Sequence, residues 1–207
     1  MSEQLSLQRV NQFCFQNSCI VSSIERSGGP WLLWKDDVTI EVISKSKNLI
    51  HVTVQNDGLR IPWHLLCIYG PPVQTQRASF WRNMTLYVQN FDGCKCFICD
   101  FNAISSGTKK IWRVTGLEFK NSNISFFNEF IQQNHLIDLG YNGPASTWTN
   151  GMDIDGLIQQ RLDEVLANPK WCIGFHMAAV LHLPRIASDH SLILLNTCRN
   201  VSRAPPN

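Results

Sequence analysis

Charge is scarce in this sequence. Asp, Glu, Lys and Arg together make up 16% of its 207 residues, against ~25% in ordinary soluble domains. Because 44% of the residues are hydrophobic, this scarcity excludes a disordered chain, which combines high charge with little apolar content. Long hydrophobic runs are missing too. No stretch approaches the ~18 apolar residues of a membrane helix, and the polar start MSEQLSLQRVNQ lacks the basic-then-apolar order of a secretory signal. A protein of the nucleus or cytoplasm, without membrane contact, is therefore expected, and the Asn83, Asn123 and Asn200 sequons read as chance matches. Cysteine is thin: eight residues in the whole chain, well under the ~8–10% of a disulfide scaffold, which points to a reducing compartment. Charge of one sign is not in excess. Eighteen basic and sixteen acidic residues leave +2, so any anion site must be a local patch. Repeats and low-complexity blocks are absent, and the length fits a single monomeric domain over residues 1–197 followed by a disordered tail over 198–207.

What is present is periodicity. In VTIEVIS, Val38, Ile40 and Val42 fall on one face of an extended strand, and in LIHVTV so do Ile50, Val52 and Val54, with a turn over Lys45 to Asn48. WHLLCIYG is nearly continuously apolar, which suits a strand buried on both faces, and it stops at Gly70-Pro71-Pro72. TQRASFWRNMTLYVQN places Trp81, Met84 and Val88 at helical spacing. After Gly93, CKCFICDFN reads as a short buried strand that delivers polar side chains at its C-terminal end. Residues 105–123 are polar and irregular, which predicts a long loop. A helix capped by Ser125 follows, with Phe126, Phe127, Phe130 and Ile131 as its apolar stripe. A hairpin is predicted around Asn142-Gly143, then strands through RLDEVL, MAAVLHL and SLILL. Strands and helices mix without strict βαβ alternation, so the expected class is α/β with mixed sheets.

Several segments could carry chemistry. In an extended chain Asp100 and Asn102 project to one side while Phe101 turns into the core, so a carboxylate and an amide share one rim. The same residues also serve as an Asx turn closing a strand. Ser188-Asp189-His190 sets a carboxylate beside an imidazole ahead of an apolar strand, where the pair could bind a hard cation and move a proton. An ordinary polar loop is the alternative. Asp163 is an acid among Leu162, Val165 and Leu166 and needs a partner, either its neighbour Arg161 or, across the fold, His190. Lys109, Lys110, Trp112 and Arg113 mix basic and aromatic groups that can grip phosphate and stack on a base, or simply line a solvated loop. Cys94, Cys96 and Cys99 do not make a zinc site, because strand parity sends Cys99 to the opposite face and no second Cys or His pair completes a tetrahedron. His51, His64, His135, His176 and His182 have no partner at ligand spacing and read as structural.

The order of IYG, CDFN, STWTN, RLDEVL and SDH along the chain resembles that of the endonuclease/exonuclease/phosphatase superfamily, the fold of DNase I and the apurinic endonucleases. More narrowly, SGGPWLLWKDDVTIEV, RLDEVLANPKW and HLPRIASDHSLILL are similar to the endonuclease domain of plant LINE-type non-LTR retrotransposons, and the likeness runs from about Ser23 to Leu195. It implies a DNase I-like four-layered α/β sandwich, two mixed sheets face to face with helices outside, and Mg²⁺- or Mn²⁺-dependent hydrolysis of DNA phosphodiesters. Carried over by resemblance, Asp100 orients or deprotonates the attacking water and Asn102 holds the scissile phosphate. His190 assists at the phosphate, Asp163 fixes its ring and charge, Asp189 helps bind the metal, and Tyr69 contacts the phosphate.

The family opens with an S-W-N-like motif and a Q-E-T-K-like motif whose glutamate is the principal metal ligand, and this sequence contains neither. Aligning LSLQRV with the stretch after that glutamate puts Ser2 at its position and Glu3 one residue out of register. The expectation is a member missing its N-terminal strand, without a fused reverse transcriptase, and with Cys99 where the family uses glycine. Three functions compete: an endonuclease, an impaired remnant with at most weak nucleic-acid binding, and a phosphatase of small phosphate esters.

Overall fold

The computed structural model describes residues 15–21, 29–55, 61–103, 110–112, 122–151, 156–186 and 188–197. The short strands β1 (Asn17–Ile20) and β2 (Trp31–Trp34) pair antiparallel. The organising element is a six-stranded sheet. It contains β3 (Thr39–Ser46), β4 (Leu49–Gln55), β5 (Trp63–Ile68), β6 (Lys95–Asp100), β8 (Ile137–Asp138) and β11 (Asp163–Ala167). Their spatial order is β3-β4-β5-β6-β11-β8. The β5–β6 pair is parallel and is joined by helix α1 (Gln74–Val88), whereas β11 returns antiparallel to β6.

That arrangement brings the C-terminal ends of β5 and β6 to the N-terminal end of β11, at one edge of the sheet. Both faces of the sheet are covered, so β4, β5 and β11 are buried or half-buried throughout. On one face α1 and α2 (Ser122–Gln133) bury Trp81, Met84, Val88, Phe127 and Phe130 against Leu66, Ile68, Phe97 and Phe101. Ring centroids of 4.7 Å for Trp81–Phe127 and 5.3 Å for Phe101–Phe127 lock Phe101 into this layer. On the other face Ile50, Val52, Trp63, Cys96 and Val165 pack against Cys19, Val180, Ile193 and Leu195. The last three belong to the antiparallel pair β12 (Ala179–His182) and β13 (Ile193–Asn196). Trp171 and Phe175 close this face from the short helix α3 (Pro169–Gly174) and the residue after it. Asn168 caps α3 by accepting from Trp171 N at 3.0 Å, and Pro169 holds its first turn. No helix among the described residues is long and apolar enough to cross a membrane.

Val42 keeps the ladder parity of Ile40, facing Val52 as Ile40 faces Val54, yet it is 43% exposed; the register shifts just beyond it, between Val42 and Ser44. Three expectations need correction. The polar stretch 105–123 contains a strand, β7 (Lys110–Trp112), which exists because β10 (Ile158–Gln160) pairs with it from far along the chain. Helix α2 begins a turn ahead of Ser125. Asn142-Gly143 is not a hairpin tip, because Asn142 forms a parallel bridge to Leu181, with Asn142 N to Val180 O and His182 N to Asn142 O both at 2.8 Å. Gly143 is needed there: a Cβ would stand 2.3 Å from His182 O. Ser2, Glu3 and the tail from 198 lie outside the described residues, as does the side chain of Cys99.

Candidate active site

The end of β6 is shaped by Phe101. Its ring is fully buried in the helix-covered layer and its N–H bonds Leu162 O at 2.9 Å, so Asp100 and Asn102 are left on the rim, as strand alternation predicts. Asn102 adopts the left-handed region (φ 47°) and turns back on Asp100. Its backbone N–H donates to Asp100 Oδ1 at 2.8 Å, and its side-chain amide donates to Asp100 Oδ2 and to Gly70 O, each at 2.9 Å. The Asx-turn reading and the rim reading are therefore both realised in the same residues.

Gly70 fastens β5 to this rim. Its N–H donates to Asp100 O at 2.8 Å, and a Cβ at this position would lie 1.8 Å from Phe101 O. Only glycine permits that approach. Tyr69 stands just before it, with its backbone held from both sides by Asn48: Tyr69 N donates to Asn48 O at 2.9 Å, and Asn48 Nδ2 donates to Tyr69 O at 2.5 Å. Burial first, and then the charge of Asp100, raises the Tyr69 phenol above its ordinary value and keeps it protonated.

Asp163 lies directly opposite Asp100 in the β6–β11 ladder. Of its two candidate partners the fold selects His190, whose Nδ1 is 2.9 Å from Asp163 Oδ2. Arg161 turns away to Asp138 and, at 3.5 Å, to Glu164. Burial works to lower His190, but the hydrogen bond and charge of Asp163, joined by Asp100 and Asp189, outweigh it and hold the imidazole above its ordinary value. Asp100 moves the other way from a normal acid. Burial, and then repulsion from Asp163, pushes its carboxyl up to about 7.

Three further residues hold the constellation, two of them inside the STWTN motif and none with a role readable from the sequence. Thr147 Oγ1 accepts from Leu162 N and Asp163 N, each at 3.0 Å, and Thr147 O accepts from Ser191 N at 2.6 Å. Trp148, in β9 (Trp148–Thr149), donates its indole N–H to Asp189 Oδ2 at 3.0 Å. Arg77, on the first turns of α1, donates to Pro71 O and Pro72 O, both at 3.0 Å, and its charge is felt at Asp100. STWTN was legible as a motif, but which atoms it would hold depended on β9 lying between 158–160 and 189–191.

Asp100, Asn102, Tyr69, Asp163, Asp189 and His190 thus converge at one end of the large sheet. Lys109 and Arg113 lie outside the described residues, and of Lys110 and Trp112 only the backbone in β7 is described. The donor chemistry suits a hard divalent cation. Asp189 is an exposed carboxylate, Asp100 is a half-buried one faced by a second acid, and Mg²⁺ binds through only one or two carboxylates while keeping its waters. Among the described residues no group of three or more His, Cys, Asp or Glu forms an all-protein cage.

The sequence matches no protein-family profile and no curated protein. Solved structures are similar in shape. The endonuclease domain of TRAS1, a telomere-specific non-LTR retrotransposon, superposes with a TM-score of 0.64 at 13% identity, over 93% of this chain and 90% of that one. The 3′ phosphatase NExo from Neisseria, bound to a product DNA hairpin, gives a TM-score of 0.58 at 14% identity, over 94% of this chain and 82% of that one. Truncated TDP2 from Caenorhabditis elegans gives 0.54 at 14% identity, over 93% and 79%. At these identities the likeness concerns architecture, and the chain is built on the DNase I-like α/β sandwich of endonuclease/exonuclease/phosphatase proteins.

Proposed function

We propose that the protein is a Mg²⁺- or Mn²⁺-dependent endonuclease that hydrolyses DNA phosphodiester bonds and derives from a plant LINE-type non-LTR retrotransposon. The observation that carries this reading is the Asp163–His190 pair at 2.9 Å standing across the β6–β11 ladder from Asp100. A half-buried acid poised near neutrality beside a carboxylate-held imidazole can take a proton from water at one atom and stabilise charge at another.

Asp100, held up at about 7, is matched to a general base working near neutral pH. Asn102 orients that carboxylate, since its amide protons go to Asp100 and Gly70, and it reaches a phosphate oxygen by exchanging one of these bonds. His190, with Nδ1 committed to Asp163, keeps Nε2 for a phosphate oxygen, and its raised affinity for a proton favours the imidazolium as donor. The Tyr69 hydroxyl, kept protonated, is a second donor to the phosphate. A divalent cation held at Asp189 would supply the positive charge that lets an anionic ester accept a nucleophile.

The test is conversion of supercoiled plasmid to nicked circle by purified protein with Mg²⁺. We expect nicking that EDTA stops and that Asp100→Ala and His190→Ala each lower ~10²- to 10⁴-fold. Folded protein that binds DNA without cutting it would identify the impaired remnant, and phosphate release from small esters without nicking would identify the phosphatase.

A further inference from the structure

We infer that Trp148 is a positioning residue for the divalent cation, setting the rotamer of Asp189 so that one carboxylate oxygen is held by the indole and the other is left for the metal. The inference rests on the metal-dependent reading above. Asp189 is exposed and lies between Ser188 and His190 in a segment without regular structure, where a free aspartate would rotate among several rotamers. In this protein it does not swing freely. The Trp148 indole N–H donates to its Oδ2 at 3.0 Å, and the backbone on either side is pinned to the same strand: Thr149 N to Asp189 O at 3.1 Å, and Ser191 N to Thr147 O at 2.6 Å.

The indole is well chosen for the task. It has a single N–H, it cannot ionise, and it cannot itself bind the cation, so it orients a ligand without competing for it. β9 pairs with β10 at Gln160 and bridges to His190, which fixes the ring's base independently of the carboxylate. Thr147, one residue earlier, bonds the backbone N–H of Asp163. The same short strand therefore sets the spacing between the Asp163–His190 pair and Asp189. Partners that orient a metal ligand are commonly worth 10- to 100-fold in metal affinity.

The test uses DNA-free protein, so that it does not depend on turnover. Mn²⁺ uptake is read from the loss of the free-ion EPR signal for wild type, Trp148→Phe, Asp189→Asn and the double variant, each checked for a cooperative melt. Trp148→Phe keeps an aromatic ring at this position and deletes the N–H. We expect it to weaken Mn²⁺ binding roughly 10- to 100-fold and to add nothing once Asp189 is Asn. A second measurement needs no variant: in wild-type protein the Trp148 indole N–H resonance should broaden on adding Mn²⁺ well before that of Trp171, which is sealed in the core. Equal affinity of wild type and Trp148→Phe, or an undiminished effect in the Asp189→Asn background, overturns the inference and leaves the function standing. Wild-type protein that takes up no Mn²⁺ overturns the metal-dependent reading itself, and the inference with it.

Discussion

Gly70 shows how a single residue can hold the site together. Its N–H bonds Asp100 O, and its missing Cβ lets Phe101 O approach to a position where any side chain would collide at 1.8 Å. Gly70→Ala must push the end of β5 away from β6, at a cost of ~1–3 kcal/mol in strain, while moving Tyr69, Asp100 and Asn102 apart. We expect thermal unfolding to show a lower melting temperature and plasmid nicking to fall by more than the lost stability explains. A variant with unchanged melting and full activity would contradict the close approach. Asp100, Asn102 and Asp163 were recognisable residue by residue. The acidity of Asp100 was not, because it depends first on burial at the end of the sheet and then on Asp163 arriving opposite it from more than sixty positions away.

At the scale of elements, the helix α2 ends on a residue that is costly where it stands. His135 has φ 51° and closes the last turn, with Leu136 N donating to Ile131 O at 2.9 Å. A left-handed backbone costs a non-glycine residue ~1–2 kcal/mol, and glycine is the usual solution at this position. His135→Gly should raise the stability by about 1 kcal/mol, measured as a higher denaturant midpoint at unchanged slope. No rise would mean that the imidazole contributes something the backbone strain conceals. Helices and central strands were legible, since α1 buries Trp81, Met84 and Val88 as their spacing predicts. The short elements were not. β7, β9 and β10 are two or three residues long and exist through pairing with one another and with distant chain, so no local pattern announces them.

Across the whole molecule, buried titratable groups pull the pH dependence of stability in opposite directions. His51 is buried, with Nδ1 2.8 Å from Tyr87 Oη and Nε2 3.0 Å from His64 Nδ1, and burial, then the charges of His64 and Lys95, lowers it to about 4 from 6.5. The unfolded chain takes up this proton first, so the contribution of His51 is complete above pH 6.5 and is lost as pH falls through 4. His64 and His182, also lowered chiefly by burial, act in the same sense. Asp100, raised from 3.8 to about 7, does the reverse: its contribution is complete below 3.8 and is lost as pH rises through 7, and the raised His190 adds to that loss. At 1.36 kcal/mol per unit, His51 and Asp100 each carry at most about 3 to 4 kcal/mol over their windows, so they largely cancel between pH 4 and 6.5. Melting curves at pH 4.5 and 7.5 should separate them. Relative to wild type, His51→Phe should gain most at the lower pH and Asp100→Asn should gain most at the higher pH. Identical pH differences in all three proteins would refute the assignment.

Fold class and candidate residues were open to local reading. Apolar continuity called for strands buried on both faces and helical spacing for α1 and α2, while the ordered motifs, by resemblance, called for a DNase I-like sandwich with Asp100, Asn102, Asp163, Asp189 and His190 as candidate site residues. The partnerships were decided by tertiary structure alone. Asp163 had two possible cations, and only the return of 188–191 beside β9 chose His190 over Arg161. Trp148 was one letter of the STWTN motif and Gly70 the stop of a strand until β9 met 189–191 and β5 met β6. Local patterns specify which face of an element is apolar, since that follows from backbone geometry. Which side chains then meet is a property of long-range pairing, and that is where this site acquires its charge and its geometry.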